Sequence, residues 1–357
     1  MKASVLITTY NQEQVIGQAI ESVLAQATDF DYEVVVADDG STDGTRSVLR
    51  EYHHRFPDRI RLLLRERNLG MMRNFPEAFL ECRGQYVACL DGDDYWTSPH
   101  KLQRQVEFLD AHPDHSMCFH NALMVWEDGS QTPVLHSPPG RRPTYSVSGL
   151  FRHDFISTAS VAVVRNHLVR EFPDWYYTLP VPDWPFFVLH GMHGPIGYLN
   201  ENWTVYRQHP AGTYSRLSRE KRMEQSIGIV RTFREVLPPE WRPLLSDAIH
   251  ARCLNLALYH RQLGHKDRAR EFARMSIQEA QADSLRRWFL AAKVSAYMRV
   301  PLLARLVSRW RTAFHTDVPE EYLRQEPVAG ASDVQPDDGL WPSQSTNAKG
   351  WVEVGAD

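Results

Sequence analysis

Three carboxylates close an apolar run in "YVACLDGDDYW" (86–96): Asp91, Asp93 and Asp94. Within four residues they repel one another, more strongly where the site is partly buried. A divalent cation relieves that repulsion. Oxygen ligands of this kind suit Mg²⁺ or Mn²⁺, and a site with few protein ligands leaves room for substrate phosphates. The simpler reading is an acidic loop in which Asp94 or Ser98 caps the following helix. A second acidic end occurs in "VVVADDGSTDGT" (34–45), where Asp38 and Asp39 follow Val34–Ala37. Asp, Gly and Ser are turn formers, but a turn has no evident need for both acids. Carboxylates there can accept hydrogen bonds from a base N–H or a ribose hydroxyl.

The elements that would position these acids follow from periodicity. Run 3–10 is short, apolar and rich in β-branched residues and reads as a buried strand, and 32–41, 60–66 and 85–91 read as further strands. Between them, 12–27, 43–56 (with Asp43 as N-cap) and 71–82 carry helical spacing, the last despite Pro76. This β-α-β-α-β-α-β order with apolar strands predicts a parallel sheet covered on both faces. Ligands in such sheets bind at the carboxyl ends of the strands. Further along, 101–112 reads as a helix and 115–136 as a hairpin turning at Asp128-Gly129. Residues 156–169 read as a strand running into a helix, 181–194 as a helix with Asp183 near its start, and 196–209 as a strand.

The texture changes after about residue 218. Residues 219–237 and 250–280 are helical patterns, the second like one helix-turn-helix repeat unit with Leu263-Gly264 at its turn. The basic amphipathic stretch 285–314 is expected either to pack on the body or to touch a membrane surface. Residues 327–357 are rich in Gly, Pro, Ser and Asp and read as a disordered tail. The expected organisation is therefore 1–217, 218–326 and the tail. The chain has 357 residues and a formal net charge of −4. That balance does not suggest a nucleic-acid binder. Four cysteines without CxxC spacing read as buried thiols. The first residues have too short an apolar run for a signal peptide, and no run of about 18 apolar residues marks a membrane span. A cytoplasmic protein is expected.

Taken with "TTYNQE" (8–13), the two acidic motifs become specific. The chain from about 2 to 215 resembles the family 2 glycosyltransferases, inverting enzymes with a GT-A fold that use nucleotide-diphosphate sugars. "VLITTYNQEQVIGQAIESVLAQ", "VVVADDGSTDGT", "RNLGMMRNF" and "LDGDD" carry the likeness. The resemblance implies an α/β fold: a Rossmann-like mixed sheet with helices on both faces, followed here by a C-terminal helical region. It implies that Thr8, Tyr10 and Asn11 line the base and ribose, with Tyr10 a stacking platform, and that Asp38 and Asp39 bond base edge and ribose. Asn68, Gly70 and Arg73 would lie near the nucleotide or diphosphate, and Asp91 on the ribose or metal side. Asp93 would hold Mn²⁺ or Mg²⁺, with Asp94 either supplementing it or capping a helix. In "YRQHPAGTYS" (206–215), His209 would bind metal or phosphate and Arg207 a phosphate.

Inverting transfer also needs a base for the acceptor hydroxyl. "VPDWPFF" (181–187) resembles the family's setting for it, which implies Asp183, with Trp184 as an apolar wall for a sugar face. His120 and Ser157 are weaker acceptor candidates. The chain lacks the Q-x-x-R-W segment of processive members and shows no retaining signature, so single-sugar transfer with inversion is expected. The donor is expected to be a nucleotide-diphosphate sugar, a UDP-sugar by preference. The acceptor would be a glycan, lipid-linked or protein-linked, of a cell-surface polysaccharide, reached at the inner membrane face. Two alternatives are weaker. A nucleotidyltransferase would need a Gly-rich basic loop that "ITTYNQEQ" lacks, and a non-catalytic scaffold would be expected to have lost the acids.

Overall fold

The computed structural model describes residues 1–279, apart from 138–140, 153–154, 211 and 215. The amphipathic stretch 285–314 and the tail 327–357 therefore lie outside the described residues. In chain order the elements are β1 (Ala3–Thr9), α1 (Ile16–Leu24), β2 (Tyr32–Asp38), α2 (Thr45–Arg55), β3 (Ile60–Leu64), α3 (Met71–Leu80), β4 (Tyr86–Asp91) and β5 (Tyr95–Trp96). They continue with α4 (Lys101–Ala111), β6 (Met117–Trp126), β7 (Val134–Leu135), β8 (Thr144–Tyr145), α5 (Val147–Arg152) and β9 (Ala162–Arg165). The last are α6 (Asp183–Gly191), β10 (Ile196–Gln208), α7 (Arg219–Val236), α8 (Arg242–Gln262) and α9 (Lys266–Glu279).

The sheet order is β3-β2-β1-β4-β9-β6-β10-β5, with β7 on β6 and β8 on β10. The first four strands are parallel, as their largely apolar runs predict. Beyond β4 the sheet becomes mixed: β9 runs antiparallel between β4 and β6. Both faces are buried. Val5, Ile7, Val34 and Val36 belong to the core layer that includes residues of α1, α2 and α4. Their alternates Leu6, Val35 and Ala37 belong to the opposite layer. The period-2 alternation of a strand places successive side chains on opposite faces, so both sets must be apolar.

That second layer is continuous with the C-terminal helices. Phe233 of α7 meets Trp184 of α6 and Phe151 of α5 edge-on or tilted, and Trp241 stands edge-on to Phe151. The change of texture at 218 thus coincides with the start of α7, while the core runs across it. The α8–α9 hairpin turns at Leu263-Gly264 as expected, with Ala269 and Ala273 buried. The hairpin of β6 and β7 is also present. All four cysteines are free and buried. Among the described residues, no helix is long and apolar enough to cross a membrane.

Three local expectations are corrected. Helix α2 starts at Thr45, and Asp43 instead closes the turn before it, accepting the Thr45 N–H and hydroxyl at 3.0 and 2.6 Å. Helix α4 starts at Lys101, so Asp94 does not cap it. The strand at 162–165 ends in a single 3-10 turn, Asn166–Leu168, not a helix. There the Asn166 amide donates to the carbonyls of Cys82 and Gly84, which ties the chain to the loop before β4.

Candidate active site

The chain leaves β1 between two acidic strand ends. In the sheet register Thr9 stands opposite Asp38 and Thr8 opposite Asp91. The loops are tied to the same strand: Asp39 N–H donates to Thr9 O and Gly92 N–H to Thr8 O, both at 2.9 Å. Gly92 is needed for this closeness, because a Cβ there would sit 2.9 Å from Thr8 O. The candidate site therefore forms at the carboxyl edge of β2-β1-β4, where the strand order passes from β3 and β2 on one side of β1 to β4 on the other.

At the β4 end the three acids have different environments. Asp93 reaches His209, Nε2 to Oδ2 2.9 Å, with both side chains partly exposed. That hydrogen bond holds the imidazole pKa above its ordinary value. Asp91 is half-buried; burial first, then Asp93, then Asp183 push its carboxyl pKa up. Asp94 is buried and fully braced. Its Oδ2 accepts the Ser160 hydroxyl at 2.6 Å, with the Thr158 Oγ1 3.1 Å away, and its Oδ1 accepts the Arg207 backbone N–H at 3.0 Å. Thus Asp94 joins the β4 turn to the segment before β9 and to β10, a role that neither sequence reading anticipated.

Asp183 is the first residue of α6 and is half-buried. Its Oδ1 accepts the Trp184 N–H at 2.8 Å. Burial raises its pKa above the ordinary carboxylate value. The segment before it is fixed by the buried Tyr176, whose hydroxyl donates to Pro182 O at 2.8 Å.

The β2 end is wired into the protein. Asp38, with no exposed surface, accepts Arg46 Nε at 2.6 Å and the Ser41 N–H at 3.2 Å through Oδ2. Asp39 accepts the Leu69 and Gly70 N–H groups at 2.7 and 2.9 Å, while burial raises its pKa. Both acids therefore do work in the turn, contrary to the expectation that a turn does not need them. Gly40 lets the Arg67–Asn68 backbone come close: it has φ +75°, and a Cβ would lie 2.5 Å from that backbone. Asn68 Oδ1 also accepts the Gly70 N–H. Asn11, in the left-handed region at φ 52°, accepts the Thr42 N–H at 2.8 Å. Beside this floor Tyr10 is 44% exposed, free to offer a ring face, and Thr8 is half-buried. Arg73 is exposed, its guanidinium 5.8 Å from the Tyr177 ring centre.

Three residues have other partners than those expected, and a fourth is displaced by its neighbours. Arg207 bonds Glu127 and Gln18 and lies over the Tyr95 ring, so its guanidinium braces loops and is not displayed to a phosphate. His120 is 1% exposed, bonded to Asn121 O, and burial drives its pKa far down; it is a core histidine. Trp184 is 2% exposed, donates to Leu150 O and packs on Phe233, so it joins α6 to α7 and does not wall a sugar pocket. Ser157 is half-buried, but its neighbours Thr158 and Ser160 make the contacts to the acids. Those two hydroxyls escaped the sequence reading; the Thr-x-Ser spacing before a strand was the available signal.

Among the described residues no group of three or more His, Cys, Asp or Glu side chains forms a metal cluster. The facing carboxylate and imidazole of Asp93 and His209 fit a cation that takes only two protein ligands and fills its shell from phosphates and water. A mixed sheet with this acidic edge defines a GT-A-type, nucleotide-sugar transferase fold. The chain belongs to the family 2 glycosyltransferases: residues 4–166 match "Glycosyl transferase family 2". An uncharacterised glycosyltransferase of Nostoc sp. is 33% identical over 220 residues, 60% of this chain and 67% of that one. An uncharacterised protein of Mycobacterium tuberculosis is 39% identical over 211 residues, 59% of this chain. The chain spans about 60% of the length of that mycobacterial relative. Among solved structures, S. aureus TarS 1–349 in complex with UDP-GlcNAc has TM-score 0.52 at 20% identity, over 78% of this chain and 90% of that one. A mannosyltransferase of Pyrobaculum calidifontis in complex with GDP-Man and Mn²⁺ has TM-score 0.52 at 19% identity, over 86% and 83%.

Proposed function

We propose that this protein transfers one sugar, with inversion, from a nucleotide-diphosphate sugar to a glycan, lipid-linked or protein-linked acceptor of a cell-surface polysaccharide. The observation that carries the reading is the grouping at one sheet edge of the Asp93–His209 pair, Asp91 and the half-buried Asp183. Asp93 and His209 would hold Mn²⁺ or Mg²⁺, which neutralises charge on the departing diphosphate. The likeness to structures that hold UDP-GlcNAc, and GDP-Man with Mn²⁺, supports a donor of this class; a UDP-sugar is favoured.

Asp183 supplies the base. Its Oδ1 is held by the Trp184 N–H, which orients the carboxylate and leaves Oδ2 for an acceptor hydroxyl. Burial makes this carboxylate more basic, which suits proton removal near neutral pH. As the hydroxyl proton passes to Asp183, the acceptor oxygen bonds to the anomeric carbon and the bond from that carbon to the diphosphate breaks. Tyr10 would stack on the base. The Asp39-held Leu69–Gly70 backbone and the Asn11-held Thr42 segment would form the floor of the nucleotide site. A thermal-shift screen of nucleotide sugars with and without Mn²⁺ tests this. A bound donor raises the apparent melting temperature by mass action, and the rise should require Mn²⁺. No shift with any donor would favour the scaffold alternative.

A further inference from the structure

One hydroxyl stands between two of the site acids. Thr158 Oγ1 lies 2.9 Å from Asp91 Oδ2, 3.1 Å from Asp94 Oδ2 and 3.2 Å from Ser160 Oγ. A hydroxyl carries a single proton to donate. Ser160 Oγ lies only 2.6 Å from Asp94 Oδ2 and at the same time accepts the Asp91 N–H at 3.0 Å. The shortest contact therefore assigns the Ser160 proton to Asp94, and the Thr158 proton is left for Asp91. Asp94 keeps a second anchor in the Arg207 N–H. Ser160 also approaches the Asp91 carboxyl, but with its proton on Asp94 the donor that remains for Asp91 is Thr158.

Thr158 is built to hold that direction. It is 3% exposed, its backbone is extended, and its Oγ1 also accepts the Ser160 N–H, capping the 3-10 turn Ala159–Val161. Ser160 O in turn accepts the Trp96 indole N–H at 3.0 Å and the Thr204 hydroxyl at 3.3 Å, so the segment is pinned from β5 and β10. Asp91 needs the restraint because the charges of Asp93 and Asp183 both act on it. A half-buried carboxylate repelled from two sides and without a donor would turn toward solvent.

We infer that Thr158 is a positioning residue that fixes the Asp91 carboxylate toward the donor and its cation. This deepens the proposed function and rests on it. The test is Mn²⁺ binding to the full chain, followed by the paramagnetic resonance of free Mn²⁺, alone and with UDP-GlcNAc or GDP-mannose. Thr158→Val should weaken Mn²⁺ binding about tenfold, as loss of an outer hydrogen bond at a metal site does. Thr158→Ser, which keeps the hydroxyl, should stay within about twofold on the same scale. In an Asp91→Asn background Thr158→Val should add nothing, because the two act as one unit. If Thr158→Val does not fold, Thr158→Ala is read in its place. Unchanged binding in the folded hydroxyl-free variant, or full additivity with Asp91→Asn, overturns the inference while leaving the proposed function standing. No Mn²⁺ binding by the wild type under any of these conditions overturns the proposed function, and the inference with it.

Discussion

Strands β2 and β4 both end in aspartates, one on each side of β1, and in sequence the two ends look alike. In the folded chain they differ. Asp38 and Asp39 are buried: Asp39 spends both oxygens on Leu69 and Gly70, and Asp38 spends Oδ2 on Arg46 and Ser41 while its buried Oδ1 has no partner among the described residues. At the other end Asp94 is held at both oxygens, but among the described residues Asp93 bonds a partly exposed histidine and the Asp91 carboxylate is approached by the Thr158 and Ser160 hydroxyls, the second of which is shared with Asp94. One acidic end therefore shapes a loop floor, with only Asp38 Oδ1 left unbonded, and the other leaves carboxylate oxygens that the proposed function assigns to a cation and a donor. A cluster of acids in a sequence is not one feature: where the donors lie decides which acids remain available for chemistry.

Substitutions at the two ends should separate these roles. Asp93→Ala should lower Mn²⁺-dependent nucleotide release at least about a hundredfold, since a metal's charge stabilisation of the transition state is worth several kcal/mol. Its melting temperature should change little. At the other end, Arg46→Ala leaves the Asp38 carboxylate buried without its ion pair. A loss of about 3 kcal/mol in urea unfolding is expected, the low end for a broken buried pair because Arg46 is partly exposed. If Arg46→Ala is as stable as the wild type, the structural reading of the β2 end fails.

A pH titration sharpens the contrast further. The Asp93 hydrogen bond raises the His209 pKa above 6.5, and a protonated imidazole cannot ligate a metal. Mn²⁺ affinity should therefore be fully developed above that raised pKa and fall as pH drops through it. The sign reverses for the metal-free pair. Its contribution to stability is present below the unfolded histidine pKa and is lost as pH rises through the folded one. In His209→Asn both dependences should flatten. The smallest effect is expected at Arg207, which braces Glu127, Gln18 and Tyr95. Arg207→Gln should cost about 1 kcal/mol of stability and leave the donor KM within about twofold. A tenfold rise in KM would restore the phosphate contact that the sequence suggested.

The parallel half of the sheet was legible because its central strands, buried on both faces, are written as largely apolar runs. The insertion of β9 between β4 and β6 was not, because strand order is set by contacts far apart in the chain. The site was legible to the extent that its chemistry is local. Asp91, Asp93 and Asp183 stand at element ends, and His209 directly follows β10. What the sequence hid was long-range. Three of the four β2 carboxylate oxygens are taken by Arg46, Leu69 and Gly70, from 8 to 31 residues away. Trp184 turns inward because Phe233 of a later helix receives it. The Asp91 donor, Thr158, comes from 67 residues downstream.

In the proposed function, donor binding and proton removal reside in different residues of one site. Asp183→Asn measures this most directly, with donor affinity in Mn²⁺ and sugar transfer followed on the same preparation. The account predicts donor binding within about twofold of wild type and a loss of transfer of roughly 10²- to 10⁴-fold, the range for a general base. Transfer at the wild-type rate would contradict it, as would loss of donor binding in parallel with transfer.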